Sequence, residues 1–280
     1  MPNRRLDDEI GMSAITTETA LGAPSAEEAG VQICLLGSFQ ILKRGRPIAT
    51  RAGGKVELLI ANLALAERQG VGRDELINVV WPGVDYDLAR QSLNTLVHSL
   101  TRTLSDALAG NPLVLHPAGR YHLNVEHGVG IDVSQFDAAV TAADRLRRAG
   151  DRVGAIRAYR QATDLYGGDL AVGSAIRHLL ERERLRARFL SMLARLADVS
   201  FADEDYESAL DSALRLLRYD PCREDAHRLV MRCHVRLGQR AQALRQYHVC
   251  QQALASEFEA SPERATEELY RLIRLDPSLV

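Results

Sequence analysis

Residues 81–104 read WPGVDYDLARQSLNTLVHSLTRTL. Trp81-Pro82 ends whatever precedes it, because proline pushes the residue before it out of the helical region. Gly83 and Asp85 then supply turn and N-cap chemistry, so a helix is expected to follow. Leu93, Val97, Leu100 and Leu104 recur at spacings of four, three and four, with Leu96 alongside, which draws one apolar stripe. The opposite face carries Gln91, Asn94, Thr95, His98, Ser99 and Arg102 and no carboxylate. Solvated helix faces usually mix Glu with Lys, whereas amides and guanidiniums pair bidentately with purine edges in the major groove. The plainer reading is an uncharged surface helix.

The flanks extend the pattern. Upstream, GKVELLIANLALAERQGVGRDELINVVWP predicts a helix over Lys55–Gln69, a stop at Gly70 and a short helix over Asp74–Val80. Three helices with tight connections form the core of a helix-turn-helix unit. Downstream, Val114-Leu115 and Tyr121 to Leu123 flank Pro117-Ala118-Gly119 and predict a β-hairpin. Ahead of the helices, VQICLLGSFQILKRGRPI reads as short strands turning at Gly37 and Gly45. Together these predict a winged helix of the OmpR type, in a chain that is mainly α overall.

From Asp132 onward the period is helical. GDRVGAIRAYRQATDLY, DEDYESALDSALRLLRYDP and LGQRAQALRQYHVCQQALASEF share a turn followed by a small residue and a leucine or isoleucine. Ala209 and Ala243 stand one tetratricopeptide period apart. Ala155 and Ala209 do not, so a longer helical insert, roughly Ala175 to Val199, interrupts the stack. Tyr159, Tyr206 and Tyr247 are expected to fill gaps between hairpins. A plain α-bundle without a ligand groove is the alternative. HGVGI, residues 127–131, is read as the joint between the two halves, and Asp132 as the N-cap of the next helix.

From Val31 to its C-terminus the chain resembles the SARP regulators of actinomycetes, an OmpR-type winged helix joined to a bacterial transcriptional activation domain. The marks are Lys55 with its Leu-rich helix, DELINVVWP, Ala89-Arg90 before Leu93, Val97 and Leu100, Gly119-Arg120-Tyr121 with Leu123, and Asp132-Val-Ser-Gln-Phe136. LYGGDL, RYDPCREDAHRLVMRCHVRLGQRAQALRQY and ELYRLI continue the series. Two departures concern DNA: Glu57 and Thr101 stand where family members carry basic residues. The resemblance implies that Asp132 and Phe136 pack between the wing and the first helix of the second domain. It also implies that this domain serves self-association and contact with the transcription machinery.

Composition sets bounds. At 280 residues the expectation is about two domains, here 31–127 and 132–280 after an acidic tail over residues 1–30 expected to be disordered. The formal net charge of −2 divides into −4 for residues 1–30, +2 for 31–131 and zero for the rest. The only positive segment is the expected winged helix, a weak electrostatic footprint. Cys34, Cys222, Cys233 and Cys250 form no C-x-x-C pair and are expected as reduced, buried thiols of a cytosolic protein. No apolar run is long enough to span a membrane, and the N-terminus lacks a secretory core.

Enzyme signals fail. Gly53-Gly54-Lys55 lacks the remainder of a phosphate loop, with Ala49 and Val56 at the deciding positions. His122, Glu126 and His127 are spaced wrongly for a zinc helix, and His227 and His234 beside Cys233 lack a completing ligand. Glu181-Arg184 and Glu183-Arg186 in the ERERLRAR run read as pairs on a solvated face. The expectation is therefore a non-enzymatic transcriptional regulator without metal or cofactor: a cytoplasmic, nucleoid-associated activator of a secondary-metabolite (antibiotic) gene cluster. It would bind repeated half-sites in promoter DNA as a homodimer and contact RNA polymerase, with no membrane partner and no phosphorylation input. Gln91, Asn94, Thr95, His98 and Arg102 would face base edges, and Arg51, Lys55, Arg90 and Arg120 would face phosphate. The competing expectation, motivated by Glu57 and Thr101, is a repeat adaptor or effector sensor whose winged helix has lost productive DNA affinity.

Overall fold

The computed structural model describes residues 29–280 apart from 52, 67–68 and 172–175. The acidic tail therefore lies outside the described residues except for its last two. Ala29 is buried, and Gly30 sits so close to the Ala107 carbonyl that a side chain would collide with it.

The N-terminal part pairs β1 (Val31–Cys34) antiparallel with β2 (Gln40–Lys43), and β2 with β3 (Arg46–Pro47). Helix α1 (Lys55–Leu65) stops four residues before the predicted end. A two-residue strand β4 (Val71–Gly72) then leads into α2 (Arg73–Val80) and α3 (Tyr86–Leu104). The wing is β5 (Val114–Leu115) against β6 (Arg120–Leu123), and β4 adds to the far edge of β6. The turn at 117–119 places both Ala118 and Gly119 at positive φ, where glycine is at ease and alanine is strained.

The segment read as a joint is instead structural. Val129–Ile131 form β7, which lies parallel to β1 and completes a sheet of order β3-β2-β1-β7. Asp132 follows as the first residue of α4 (Asp132–Arg148), and the N-cap position is Ile131. The Asp132 carboxylate bonds the Val133 amide at 2.8 Å, but its other oxygen accepts from the Leu35 and Leu36 amides at 2.7 and 2.8 Å. It thus ties the end of β1 to the helical array. Both Asp132 and Phe136 are buried, but the partners of Asp132 are at the end of β1 and those of Phe136 are Tyr166 and Phe189, where the expectation had the wing.

The array runs α4, α5 (Arg152–Leu165), α6 (Ile176–Ala202), α7 (Tyr206–Tyr219), α8 (Glu224–Arg236), α9 (Arg240–Phe258) and α10 (Arg264–Leu275). Successive helices pack against one another, and the 27-residue α6 is the long insert anticipated from the broken repeat. Asp151 and Asp205 cap α5 and α7 through the Gly154 and Ser208 amides. Tyr159 and Tyr247 are buried as expected, the first donating to Asp144 and the second stacked on Tyr270 at 4.0 Å. Tyr206 is only half-buried. A ring cluster unforeseen from the sequence, Tyr166 stacked on Phe189 at 3.9 Å beside Phe136, fills the space under α4 and α6.

The apolar core does not stop at the seam. One continuous cluster runs from Val31 and Ile33 through Leu93 and Leu104 to Phe136, Phe189 and Leu216. The chain between α5 and α6 lies against the winged helix: Leu170 bridges Leu36, the Ala171 amide donates to the Leu35 carbonyl, and the Gly37 amide donates to the Asp169 carbonyl. The ERERLRAR run is correspondingly less solvated than predicted. Arg184 pairs with Glu181 as expected and also with Asp137, whereas Arg186 donates to the Tyr219 carbonyl rather than pairing with Glu183. Cys233 and Cys250 are buried, while Cys34 and Cys222 are only partly so.

Candidate nucleic-acid interface

Helix α3 begins where the sequence places it. Asp85 caps it by accepting from the Asp87 and Leu88 amides at 3.1 and 3.2 Å. Ala89, Leu93, Leu100 and Leu104 are buried, and Leu96 and Val97 are half-buried against the same core. With the stripe turned inward, Gln91, Asn94, Thr95, His98, Ser99 and Arg102 are all exposed. The Thr95 hydroxyl returns to the Gln91 carbonyl. The side chains of Gln91, Asn94, His98 and Arg102 have no hydrogen-bond partner among the described residues, so their donors and acceptors are free to meet base edges.

The four expected phosphate ligands divide into two pairs. Arg51 and Arg90 are exposed and without an ion pair among the described residues. Arg51 shares an open hollow of about 400 Å³ with Gly53, Gly54, Lys55 and Val56. The other two are already engaged. The Lys55 ammonium donates to the Val80 carbonyl and lies 5.8 Å from the Trp81 ring centre. Arg120 donates from Nε and Nη2 to the Gln69 and Gly70 carbonyls, 2.7 Å each, so it pins the wing to the turn after α1. Both therefore spend part of their hydrogen-bonding capacity inside the winged helix.

Glu57 also differs from expectation. It is buried, and its carboxylate accepts from the Gly53 amide at 2.7 Å. It closes the turn before α1 and points no charge outward. Thr101 is half-buried.

Three cations that sequence reading passed over stand nearby. Arg73, at the start of α2, reaches the Tyr121 hydroxyl at 3.3 Å, and Tyr121 lies against His116 with ring centres 4.0 Å apart. At the other end of α3, Lys43 and Arg44 donate to the Thr103 and Asp106 carbonyls. Cations there complement the negative end of a helix.

Three of the histidines considered as ligands have hydrogen-bond partners. The His227 ring takes the Pro221 carbonyl at 2.8 Å and Gln246 at 2.7 Å, and His234 contacts Gln239. His127 contacts Asn124. Among the described residues no group of three or more His, Cys, Asp or Glu is arranged to hold a metal ion, and no helix is long and apolar enough to cross a membrane.

A winged helix with an exposed polar third helix, fused to a tetratricopeptide-like array, defines the class: a modular transcriptional regulator. Residues 131–274, just over half of the chain, match the family model for the bacterial transcriptional activator domain. The chain belongs to that family and, with its winged helix, to the SARP group of transcriptional regulators. It is similar to Regulatory protein AfsR of Streptomyces coelicolor, with 26% identity over 262 residues, covering 92% of this chain and 26% of that protein. The chain thus spans about a quarter of that relative. It is also similar to the Transcriptional regulatory protein MoaR1 of Mycobacterium tuberculosis, 28% identical over 277 residues, covering 94% of this chain and 86% of that one. The solved structure of Mycobacterium tuberculosis EmbR in complex with a low affinity phosphopeptide superposes with a TM-score of 0.70 at 20% identity, over 90% of this chain and 68% of that one. The likeness to EmbR is one of fold.

Proposed function

We propose that this chain is a sequence-specific, DNA-binding activator that works as a pair on repeated promoter half-sites. The observation that carries this reading is the outer face of α3, six exposed polar side chains that carry no carboxylate beyond Asp87 in the first turn, presented by a helix whose leucines are buried. Gln91, Asn94, Thr95, His98 and Arg102 read base edges, and Arg51 and Arg90 hold phosphate. Lys55 and Arg120 act from behind, fixing α1 and the wing. The winged helix ends with the sheet strand β7, and residues from Asp132 onward form the activation domain, which contacts RNA polymerase. The regulated genes are a secondary-metabolite cluster, and the site of action is the cytoplasmic nucleoid.

With only two uncommitted phosphate ligands from the expected four, the salt dependence of one subunit is shallow, since affinity falls with salt in proportion to the phosphates neutralised. The test is a fluorescence-anisotropy titration of the full chain against promoter duplexes of the neighbouring genes at two salt concentrations, with scrambled duplex as control. Preferential binding to one duplex is expected. Equal, weak binding to all of them would favour the second reading, a repeat adaptor with a non-productive winged helix, for which the engagement of Lys55 and Arg120 is the supporting observation.

A further inference from the structure

Separate domains joined by a short connection are expected to move relative to one another unless their interface is large and apolar. Here three kinds of contact oppose such motion. The core is shared across the seam. Backbone hydrogen bonds join Leu35 and Gly37 to Ala171 and Asp169. The third contact is the start of α6. Arg177 donates to the side-chain Oδ1 of Asn62 in α1 and, at 2.8 Å, to Glu75 in α2; His178 reaches the same Oδ1 at 3.3 Å. Asn62 is fully buried and donates in turn to the Leu58 carbonyl. One arginine of the array therefore grips both helices that support α3. Close approach of backbone completes the arrangement: a side-chain carbon on Gly167 would stand 2.9 Å from the Leu36 carbonyl oxygen.

We infer that this clamp, centred on Arg177, fixes the winged helix against the array and thereby determines which half-site spacing a pair of chains accepts. The inference rests on the proposed DNA-binding function and goes beyond it by assigning spacing selectivity to residues that touch no DNA. Its logic is geometric. Half-sites one turn apart are separated by about 34 Å, and shifting one of them by about five base pairs turns it to the opposite side of the duplex. Two winged helices linked through rigid arrays cannot follow that rotation, whereas loosely tethered ones can. Linked binding gains affinity only where geometry permits both contacts at once.

The test uses the full chain and the tightest half-site that it selects from a random duplex pool, presented singly and as tandem copies at successive spacings. The loosened variant combines Arg177→Ala, Glu75→Ala and Gly167→Val. Arg177 and Glu75 have side chains about half exposed, and Gly167 is a surface position, so the array and wing cores are left intact; a near-native melting curve verifies this. Fluorophores at the exposed positions Ala118 and Ser261 report the distance distribution between wing and array. The expected result for the wild type is a gain on the order of 100-fold for the best tandem site over a single one, abolished by the half-turn shift. The variant is expected to keep single-site affinity within about threefold, to show a broadened distance distribution and to bind all spacings nearly alike. A variant with the wild-type spacing profile overturns the inference, as does an unbroadened distance distribution. A wild-type chain that binds no selected half-site overturns the DNA reading and this inference with it. A wild type that binds single sites without spacing preference overturns the inference alone.

Discussion

At the scale of single residues the chemistry divides between groups left free and groups committed. Arg102 is free, exposed on the outer face of α3. If it reads a guanine, Arg102→Ala weakens specific binding by about 1–3 kcal/mol and relaxes preference at one base position; anisotropy against single-base variants of the selected site checks this, and unchanged affinity removes Arg102 from the reading set. Asp132 is committed. Burial pushes its carboxyl up to about 6, against the opposing pull of the Leu36, Leu35 and Val133 amides. The native state therefore binds this proton more tightly than the unfolded chain. The resulting stabilisation is complete below the ordinary carboxylate range and is lost as pH rises through about 6, an effect of roughly 3 kcal/mol at most. Asp132→Asn keeps an acceptor for Leu35 and Leu36 without the charge. Its stability relative to the wild type should rise between pH 4.5 and 7.5, as measured by urea unfolding at several pH values, and a pH-independent difference would argue against a buried, titrating carboxyl. His178 works in the opposite direction: burial first, then the Arg177 and Arg182 guanidiniums, hold its imidazole below its ordinary pKa, so its contribution to stability is lost as pH falls.

At the scale of elements, α3 carries the argument. Leu93 is fully buried in the large core. Leu93→Asp would place an unpaired charge in that core, a cost of several kcal/mol, and should abolish cooperative unfolding; a monodisperse product with a native melting curve would refute the inward orientation of the stripe. This helix was legible from sequence because everything that defines it is local: the Asp85 cap, the leucine period and the polar outer face lie within twenty residues. The same holds for α6, whose length showed as a break in the 34-residue repeat. What was not legible depends on distant partners. Strand β7 has three residues, one of them glycine, and is a strand only because β1, almost a hundred positions earlier, lies beside it. For Arg120 and Lys55 the sequence shows a charge but not the carbonyl that already engages it. Glu57 stood out only as an acid where family members carry a base, and only the fold turns it inward to the Gly53 amide. LYGGDL was visible as a family mark, yet its physical reason, the passage of Gly167 and Gly168 against Leu36 and Gly37, exists only once the two halves are docked.

At the scale of the whole molecule, apolar packing is unevenly shared. The large core joins the winged helix to the first helices of the array, but the far end has a small one of its own, five buried residues led by Met231, Tyr247 and Ile273. Helix α10 is held there by that cluster and by polar ties, among them Arg240 to the Ile273 and Arg274 carbonyls and Glu224 to the Glu263 amide and Thr266. Segments with few buried apolar neighbours open at a fraction of the global free energy. Such a terminus behaves as a latch: amides of α10 should exchange with deuterium well before those of α3 or α4, and brief trypsin treatment should nick at Arg264 or Arg271 while the remainder stays intact. Uniform protection along the chain would mean that the molecule opens as one unit. If the latch does release early, whatever docks on that end of the array meets a surface it can peel and reshape, while the opposite end keeps the fixed outline that a regular polymer such as a duplex requires.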